Sequence, residues 1–259
     1  KILLGLTPEV QYKNLASVIE NAHLDIADKA FSAYASGLSC LVEDEKELGA
    51  TIVDIGGGCT NIATFKNGYP IYFSSIAVGG NNITNDIAWG LTTSSVHAER
   101  LKTLHGCAFL TSKDKEENIN VYPVGEEDDT LIKQVPKSEL INIISPRVEE
   151  MFELIGHKLN EHGLKDVNSH RVVLTGGCAQ LSGIREVAMM ILDKQDRIGR
   201  PRNILNLPEK IYNPEFSTAV GLLMFSGVQT EKKPHKVLHK TINSDNKFLQ
   251  ILDWLKQSF

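Results

Sequence analysis

Two clusters of consecutive glycines, each directly after an apolar run, are the residues of this sequence best suited to chemistry. The clusters comprise Gly56, Gly57 and Gly58, and then Gly176 and Gly177. Consecutive glycines let the backbone approach a ligand closely because no Cβ stands in the way, and their exposed amides form a cradle suited to phosphate. Asp54 lies at the end of the first apolar run, where a carboxylate can hold a hydrated Mg²⁺. One triplet alone suits a hairpin bend equally well, but a second glycine corner 120 residues later favours a phosphate site.

Strands and helices must position these corners. Apolar and alternating runs predict strands at 50–55, 60–65, 69–76, 171–174 and, shorter, near 119–124 and 131–135. The first three are expected in antiparallel order, with a tight turn at Asn67-Gly68. Periodicity and capping residues predict helices at about 10–22, 34–43, 83–91, 95–105, 137–162, 184–193 and 214–226. A charged turn is expected at 43–47, and Pro146 should kink or break its helix.

The last residues, 247–259, have the pattern of an amphipathic helix. Its apolar positions, at i, i+3, i+4, i+7 and i+11, are Phe248, Ile251, Leu252, Leu255 and Phe259. Trp254 flanks this stripe, where an indole can lie at headgroup level. The segment is too short to span a bilayer, so it would lie in the interface. The alternative is a last helix that docks on the protein's own core. The lysine-rich range 227–246 is predicted to be a linker that separates the segment from the fold, which favours the membrane.

Composition narrows the class of protein. With 259 residues, 42% hydrophobic and 23% charged, the chain is typical of a soluble globular protein of one large or two ordinary domains. A net charge of −5 gives no reason to expect nucleic acid as a partner. No apolar run approaches the roughly 20 residues that span a bilayer, so any membrane contact is expected to be peripheral. The four cysteines are scattered, and reduced thiols are expected rather than a metal or disulfide site.

The glycine corners resemble the nucleotide-binding motifs of the actin-like superfamily, which includes actin, heat-shock chaperone ATPases and sugar kinases. The segment DIGGGCTN at 54–61 is similar to its second phosphate loop, and LTGGCAQLSG at 174–183 is similar to its adenosine motif. Glu99 and Lys102 resemble the helical pair that reaches the ribose and adenine, although a surface ion pair suits this spacing equally. The resemblance implies ATP and Mg²⁺ as cofactors. The implied contacts are Asp54, Gly56, Gly57, Gly58, Thr60, Glu99, Lys102, Gly176 and Gly177.

Further segments resemble the FtsA family of bacterial cell-division proteins. The most similar segments are 41–49, 77–88, 98–102, 146–150 and 197–201. The resemblance implies an α/β, actin-like (ribonuclease H-like) fold, with an inserted small α+β subdomain and a flexible tail that ends in the amphipathic helix. The implied parts are 1–48 (returning segment of the first large subdomain), 49–88 with 169–226 (second large subdomain), 89–168 (inserted subdomain), 227–246 (linker) and 247–259 (membrane-targeting helix).

The family resemblance also implies a function. Such a protein tethers the ring of the tubulin-like protein FtsZ to the inner membrane and helps to recruit later division proteins. It is expected on the cytoplasmic face of that membrane, at the division septum, and to associate with itself into filaments. The FtsZ carboxyl-terminal peptide is acidic, and Arg147 and Glu150 match family contact positions, with a surface ion pair along one helix as the alternative.

Two departures from the family pattern limit these expectations. Cys59 and Asn61 stand where the family has Thr and Asp, which removes a hydroxyl and a carboxylate and implies at most a weak ATPase. The family's first phosphate loop and its other small subdomain are expected to lie outside these 259 residues. The alternatives are a truncated actin-like interaction module without nucleotide binding, a sugar-kinase-like enzyme, and a pilus-assembly or chaperone relative.

Overall fold

The computed structural model describes residues 7–125, 132–164, 171–202 and 208–232, with the single residues 3 and 204. The chain forms two units, Lys1–Phe225 and Ser226–Phe259. In the second unit the described residues, 226–232, are the end of a helix, and the predicted amphipathic segment lies outside the described residues. Among the described helices, none is long and apolar enough to cross a membrane.

Eight α-helices and seven strands make up the described chain. In order they are α1 (Glu9–Asn21), α2 (Ser32–Cys40), α3 (Glu43–Leu48), β1 (Ala50–Ile55), β2 (Thr60–Lys66), β3 (Tyr69–Ile76), α4 (Gly80–Gly90), α5 (Ser95–His105), β4 (Asn118–Val121), β5 (Lys133–Pro136), α6 (Lys137–Glu161), β6 (Arg171–Thr175), α7 (Ile184–Leu192), β7 (Asp196–Ile198) and α8 (Ser217–Lys232).

A five-stranded sheet in the order β3-β2-β1-β6-β7 forms the centre of the first unit. Strand β1 pairs antiparallel with β2 and parallel with β6, in a register that sets Asp54 opposite Thr175. Parallel neighbours end at the same edge of a sheet, so the two glycine corners, which follow β1 and β6, lie side by side. The short strands β4 and β5 form a separate antiparallel pair.

Both faces of the central sheet are covered, because successive side chains of a strand point to opposite faces. Ala50 and Ile52 of β1 pack with Phe65 in the smaller of two apolar clusters, on the side of α2. Val53 and Ile55 point the other way, into a larger cluster built with the buried faces of α4, α6 and α7. Strand β1 is therefore buried along its whole length, which matches its near-continuous apolar sequence.

The predicted antiparallel meander is confirmed within one residue, but the charged segment 43–47 is helical rather than a turn. Glu45 accounts for this difference, since its side chain accepts a hydrogen bond at 3.1 Å from the backbone N–H of Val42 and satisfies an otherwise free amide of the first turn. Arg197 of β7 binds the same carboxylate, with Nε donating to Oε1 at 2.8 Å. Strand β7 itself was not expected from the sequence.

Two helices continue past the points predicted from the sequence. Helix α6 is uninterrupted from Lys137 to Glu161 although Pro146 lies inside it. Pro146 has no N–H to donate to the carbonyl of Asn142, four positions earlier, but both residues are exposed, so water can take the place of the missing hydrogen bond. Helix α8 ends at Lys232, six residues into the range predicted as a linker.

Candidate functional site

The first glycine corner is bonded through its backbone to the start of α4. The N–H of Gly80 donates to the carbonyl of Gly56 at 2.9 Å, and that of Asn81 donates to the carbonyl of Gly57 at 2.8 Å. A Cβ at Gly79 would lie 2.6 Å from Gly57 O and 2.9 Å from Cys59 N, so no larger residue fits there without movement of the backbone. The corner and the helix start therefore form one rigid turn.

The second glycine corner packs directly against the end of β1. Gly176 has φ 88°, and a Cβ there would lie 2.5 Å from Ile55 O and 2.6 Å from Asp54 Oδ1. Gly177 and Gly58 are exposed, and a Cβ at either would meet nothing closer than 3.9 Å. Gly176 thus allows the two corners to lie in direct contact, while Gly58 and Gly177 present open backbone.

Glu99 and Lys102 lie on α5 and reach the start of α4. Lys102 Nζ donates to Gly80 O at 3.0 Å, to Thr84 Oγ1 at 2.8 Å and to Glu99 Oε2 at 2.7 Å. Burial opposes ionisation of Glu99, but hydrogen bonds from Lys102 and Thr84 outweigh it and lower the pKa of this carboxyl below its ordinary value. The predicted pair is therefore an ion pair anchored on the backbone beside the first corner.

Cys178, which follows the second glycine corner, also lies beside Gly80 at the start of α4. A Cβ on Gly80 would lie 3.4 Å from both Cys178 Sγ and Lys102 Nζ. Burial raises the pKa of the Cys178 thiol to about 11, and the nearby Lys102 charge only partly opposes the shift. The thiol stays protonated at neutral pH and is a packing group here. Residues from both corners, α4 and α5 thus meet around Gly80.

Asp54 is buried, and one of its carboxylate oxygens is already engaged. Oδ2 accepts hydrogen bonds from Ser36 Oγ at 2.6 Å and from Thr218 Oγ1 at 2.7 Å, which ties α2 and α8 to the end of β1. Within the described chain, Oδ1 has no hydrogen-bond donor and lies beside Gly176. No group of three or more candidate metal ligands occurs among the described residues.

Thr60 points away from the open backbone of the corner. Its side chain is fully buried, and its hydroxyl donates to Val78 O at 2.8 Å, on the core side of the turn. The predicted nucleotide contact of Thr60 stays a prediction. At the two divergent positions, Asn61 Nδ2 lies 3.6 Å from Cys59 Sγ, so these side chains contact each other.

Arg147 and Glu150 lie on α6, and both are engaged within the protein. Arg147 donates from Nε to Asp86 Oδ2 at 2.6 Å and from Nη2 to Asp86 Oδ1 at 3.0 Å, and its Nη1 bonds to Glu150. The hydrogen bonds to Asp86 raise the pKa of Arg147 above its ordinary value. Helix α6 is thereby fixed to α4, an arrangement that the spacing of Arg147 and Glu150 did not reveal.

Three polar residues of the site were missed by sequence reasoning. Ser36 and Thr218 hold Asp54, and Thr84 bridges Lys102 and Glu99. Each lies in a predicted helix, 15 or more residues from its partner. The available signal was a small polar residue on the buried face of an apolar helix, which needs a hydrogen-bond partner in the core.

The chain matches the family model described as cell division protein FtsA, over residues 51–221. It is 39% identical over 250 residues to the cell division protein FtsA of Rhizobium meliloti, covering 95% of this chain and 56% of that protein. It is 34% identical over 257 residues to that of Escherichia coli, covering 95% of this chain and 60% of that protein. The chain thus spans less than two thirds of the length of these relatives.

Solved structures of low sequence identity share the fold. MreB5 of Spiroplasma citri bound to ADP superposes with a TM-score of 0.70 at 19% identity, over 89% of this chain and 69% of that one. The PilM–PilN type IV pilus biogenesis complex gives a TM-score of 0.61 at 16% identity, over 83% of this chain and 57% of that one. The predicted actin-like α/β fold is confirmed. The sequence motifs, the fold and the family match all agree. The chain belongs to the FtsA family of cell division proteins.

Proposed function

We propose that the two glycine corners bind ATP, the first at the phosphates and the second at the adenosine, with Glu99 and Lys102 at the sugar and base. The observation that carries the proposal is the convergence of both corners and this ion pair around Gly80. The open backbone at Gly58 supplies an amide for phosphate oxygens, and that at Gly177 leaves room for the adenosine. MreB5, a neighbour in fold, was solved with ADP. The nucleotide would supply a magnesium-bound phosphate, which Asp54 Oδ1 could meet through a water molecule.

ATP hydrolysis by this site should be weak at most. The side-chain amide of Asn61 lies 3.6 Å from the Cys59 thiol, and neither residue offers a carboxylate beside the first corner. The site is therefore suited to holding nucleotide as part of the fold rather than to rapid turnover. The primary role that we infer is structural.

Titration calorimetry with MgATP tests the nucleotide site. Binding should be weak for this chain alone and stronger when the amino-terminal segment of a full-length relative is supplied. Gly58→Ala and Gly177→Ala should each weaken binding by about tenfold, since a Cβ would stand between the backbone and the nucleotide. Gly156→Ala is the matched control, because its Cβ would only meet Leu192 at 3.4 Å. If Gly58→Ala and Gly177→Ala bound MgATP as tightly as the control Gly156→Ala, the assignment would be refuted.

We further infer that the inserted subdomain binds the acidic carboxyl-terminal peptide of FtsZ near Arg147 and Glu150. Family membership supports this partner, and Arg147 offers a charged group at the surface of α6. Asp86 already occupies two of its donors, so a peptide carboxylate would have to share or displace that contact. A pull-down with an FtsZ tail peptide tests it: binding unchanged by Arg147→Glu removes Arg147 from the site.

We infer that residues 247–259 hold the protein on the inner membrane at the septum, where it recruits other division proteins. The support is the apolar stripe that includes Phe248 and Leu252, with Trp254 beside it, in a chain of a division family. A single short helix binds lipid weakly, so filaments that present many copies would add avidity. In liposome flotation, Leu252→Asp should release the protein, whereas Gln250→Asp on the polar face should retain it. Equal flotation of both variants contradicts the anchor.

A further inference from the structure

A pocket of about 270 Å³ lies between helix α5 and strand β4, and none of its lining residues belongs to the glycine corners. Helix α5 contributes Arg100, His97 and His105, and β4 contributes Asn118 and Asn120. Sites for whole small molecules measure roughly 300–1,000 Å³. This pocket is therefore of a size to take one or two side chains of a larger ligand.

The pocket opens along the edge of β4. Three consecutive residues, Asn118, Ile119 and Asn120, line it, although their side chains alternate between the two faces of the strand. In an antiparallel pair, alternate residues turn both backbone groups towards the partner strand, so half of the β4 groups face away from β5. Within the described ranges, residues 118–121 make no backbone hydrogen bond beyond their pairing with β5. This edge can accept another strand.

The side chains around the pocket are positive or neutral. No aspartate or glutamate lines it, although the whole chain carries a net charge of −5. Arg100 is exposed, and its guanidinium has no hydrogen-bond or ion-pair partner among the residues that the structure describes. The His97 ring stacks on Tyr122, with centroids 4.7 Å apart and planes 15° from parallel. The free donors of Arg100 thus lie beside a rigid aromatic pair.

We propose that this pocket binds an extended acidic peptide of a partner protein, which adds as a strand to the free edge of β4. Backbone hydrogen bonds to β4 would supply affinity, and a peptide carboxylate would pair with Arg100, whose planar fork suits carboxylates. A neighbouring apolar side chain of the peptide would enter the pocket between Leu101 and Ile119. The site is distinct from Arg147 on α6 and from the glycine corners, so it stands independently of the function proposed above.

Nuclear magnetic resonance titration of the 259-residue chain tests the proposal. The probes are capped eight-residue peptides that alternate aspartate or glutamate with valine or leucine, and matched peptides with lysine in the acidic positions. The acidic peptides should shift the amide signals of residues 118–121 in a saturable way and slow their hydrogen exchange. Arg100→Glu should weaken binding by about tenfold or more, and Arg100→Gln by less.

Lys115→Glu is the matched control, since it makes the same change of charge on an exposed residue that does not line the pocket. It should leave the affinity within about twofold of the parent chain, because exposed charges at a distance are screened by salt. Equal losses in Arg100→Glu and Lys115→Glu, or tight binding of the lysine peptides, overturn the proposal. So does binding that leaves hydrogen exchange of β4 unchanged, which would exclude strand addition.

Discussion

Arg147 holds Asp86 through two parallel hydrogen bonds, from Nε to Oδ2 at 2.6 Å and from Nη2 to Oδ1 at 3.0 Å. Both side chains are about 30% exposed, so water screens the pair only in part. A bidentate arginine–carboxylate contact has a fixed geometry and is stronger than a single-point ion pair. It therefore links α6 to α4 in addition to their apolar packing.

Exchanging the two charges tests this structural role. Arg147→Asp alone should lower the free energy of unfolding by about 1–3 kcal/mol, because it leaves Asp86 beside a second carboxylate. Adding Asp86→Arg should recover most of that loss, since the pair is rebuilt in reverse. Urea denaturation of the two single variants and the double variant measures the coupling. A double variant no more stable than the worse single variant would show that the pair contributes nothing.

The glycines of the second corner should respond differently to substitution. Gly176→Ala should lower the free energy of unfolding by about 2–4 kcal/mol, because of its positive φ and its contact with Ile55 O. Gly177→Ala should change it by less than about 1 kcal/mol, since its Cβ meets only Glu215 at 3.9 Å. Thermal unfolding followed by circular dichroism compares them. Similar losses in both variants would contradict this division of roles.

Glu45 should make stability depend on pH. Burial opposes its ionisation, but hydrogen bonds from Arg197, the Val42 amide and Arg171 outweigh it and lower the pKa of Glu45 below its ordinary value of 4.5. The stabilisation is therefore complete above the ordinary pKa and is lost as the pH falls through the lower, folded-state pKa.

Glu45→Gln is the variant that measures this contribution. At pH 7 it should cost about 1–3 kcal/mol in the free energy of unfolding, and the difference from the parent chain should shrink below the ordinary pKa of the carboxyl. Glu43→Gln is the control, because its exposed carboxylate bonds only to Lys46 in the described chain. A Glu45→Gln deficit that stays constant from pH 7 to acid would exclude the ionised carboxylate as the cause.

Pro146 offers a stabilising substitution. Proline removes one hydrogen bond from the interior of α6 and costs up to about 3 kcal/mol relative to alanine. Because Pro146 is exposed and its ring is not part of the core, Pro146→Ala should raise the free energy of unfolding by about 1–3 kcal/mol. Glu149→Ala, at another exposed position of α6, should change it by less than about 0.5 kcal/mol. Destabilisation by Pro146→Ala would mean that the proline itself is needed there.

Local chemistry explains which parts of the fold were predictable. The meander of β1, β2 and β3 follows from alternation and the Asn67-Gly68 turn, both of which act over a few residues. Strand β7 has three residues and exists through pairing with β6, so no local pattern marks it. Glu45 caps helix α3 through the Val42 amide, and the same carboxylate is bound by Arg197 from 152 positions away. The charged sequence of α3 alone suited a turn.

The sequence indicated in part which residues of the candidate site lie together. Gly176 and Lys102 were assigned from separate motifs, and both lie where the two corners meet. Thr60 was assigned from the motif at 54–61, but the direction of its side chain depends on packing across the whole sheet. The Asp86 partner of Arg147 lies 61 residues earlier in the chain. No spacing rule links such positions.

The parallel pairing of β1 with β6 has a consequence for the order of folding. Asp54 and Thr175 are opposite each other in the sheet but 121 positions apart in the chain, and the β4–β5 pair and the long helix α6 lie between them. Closing so long a loop lowers the conformational entropy of the chain before the strand pairing stabilises it. Such contacts therefore form slowly. The hairpins beside the first corner need no such closure. We therefore expect the two corners to meet late in folding, and a nascent chain that ends before Thr175 contains one corner without the other.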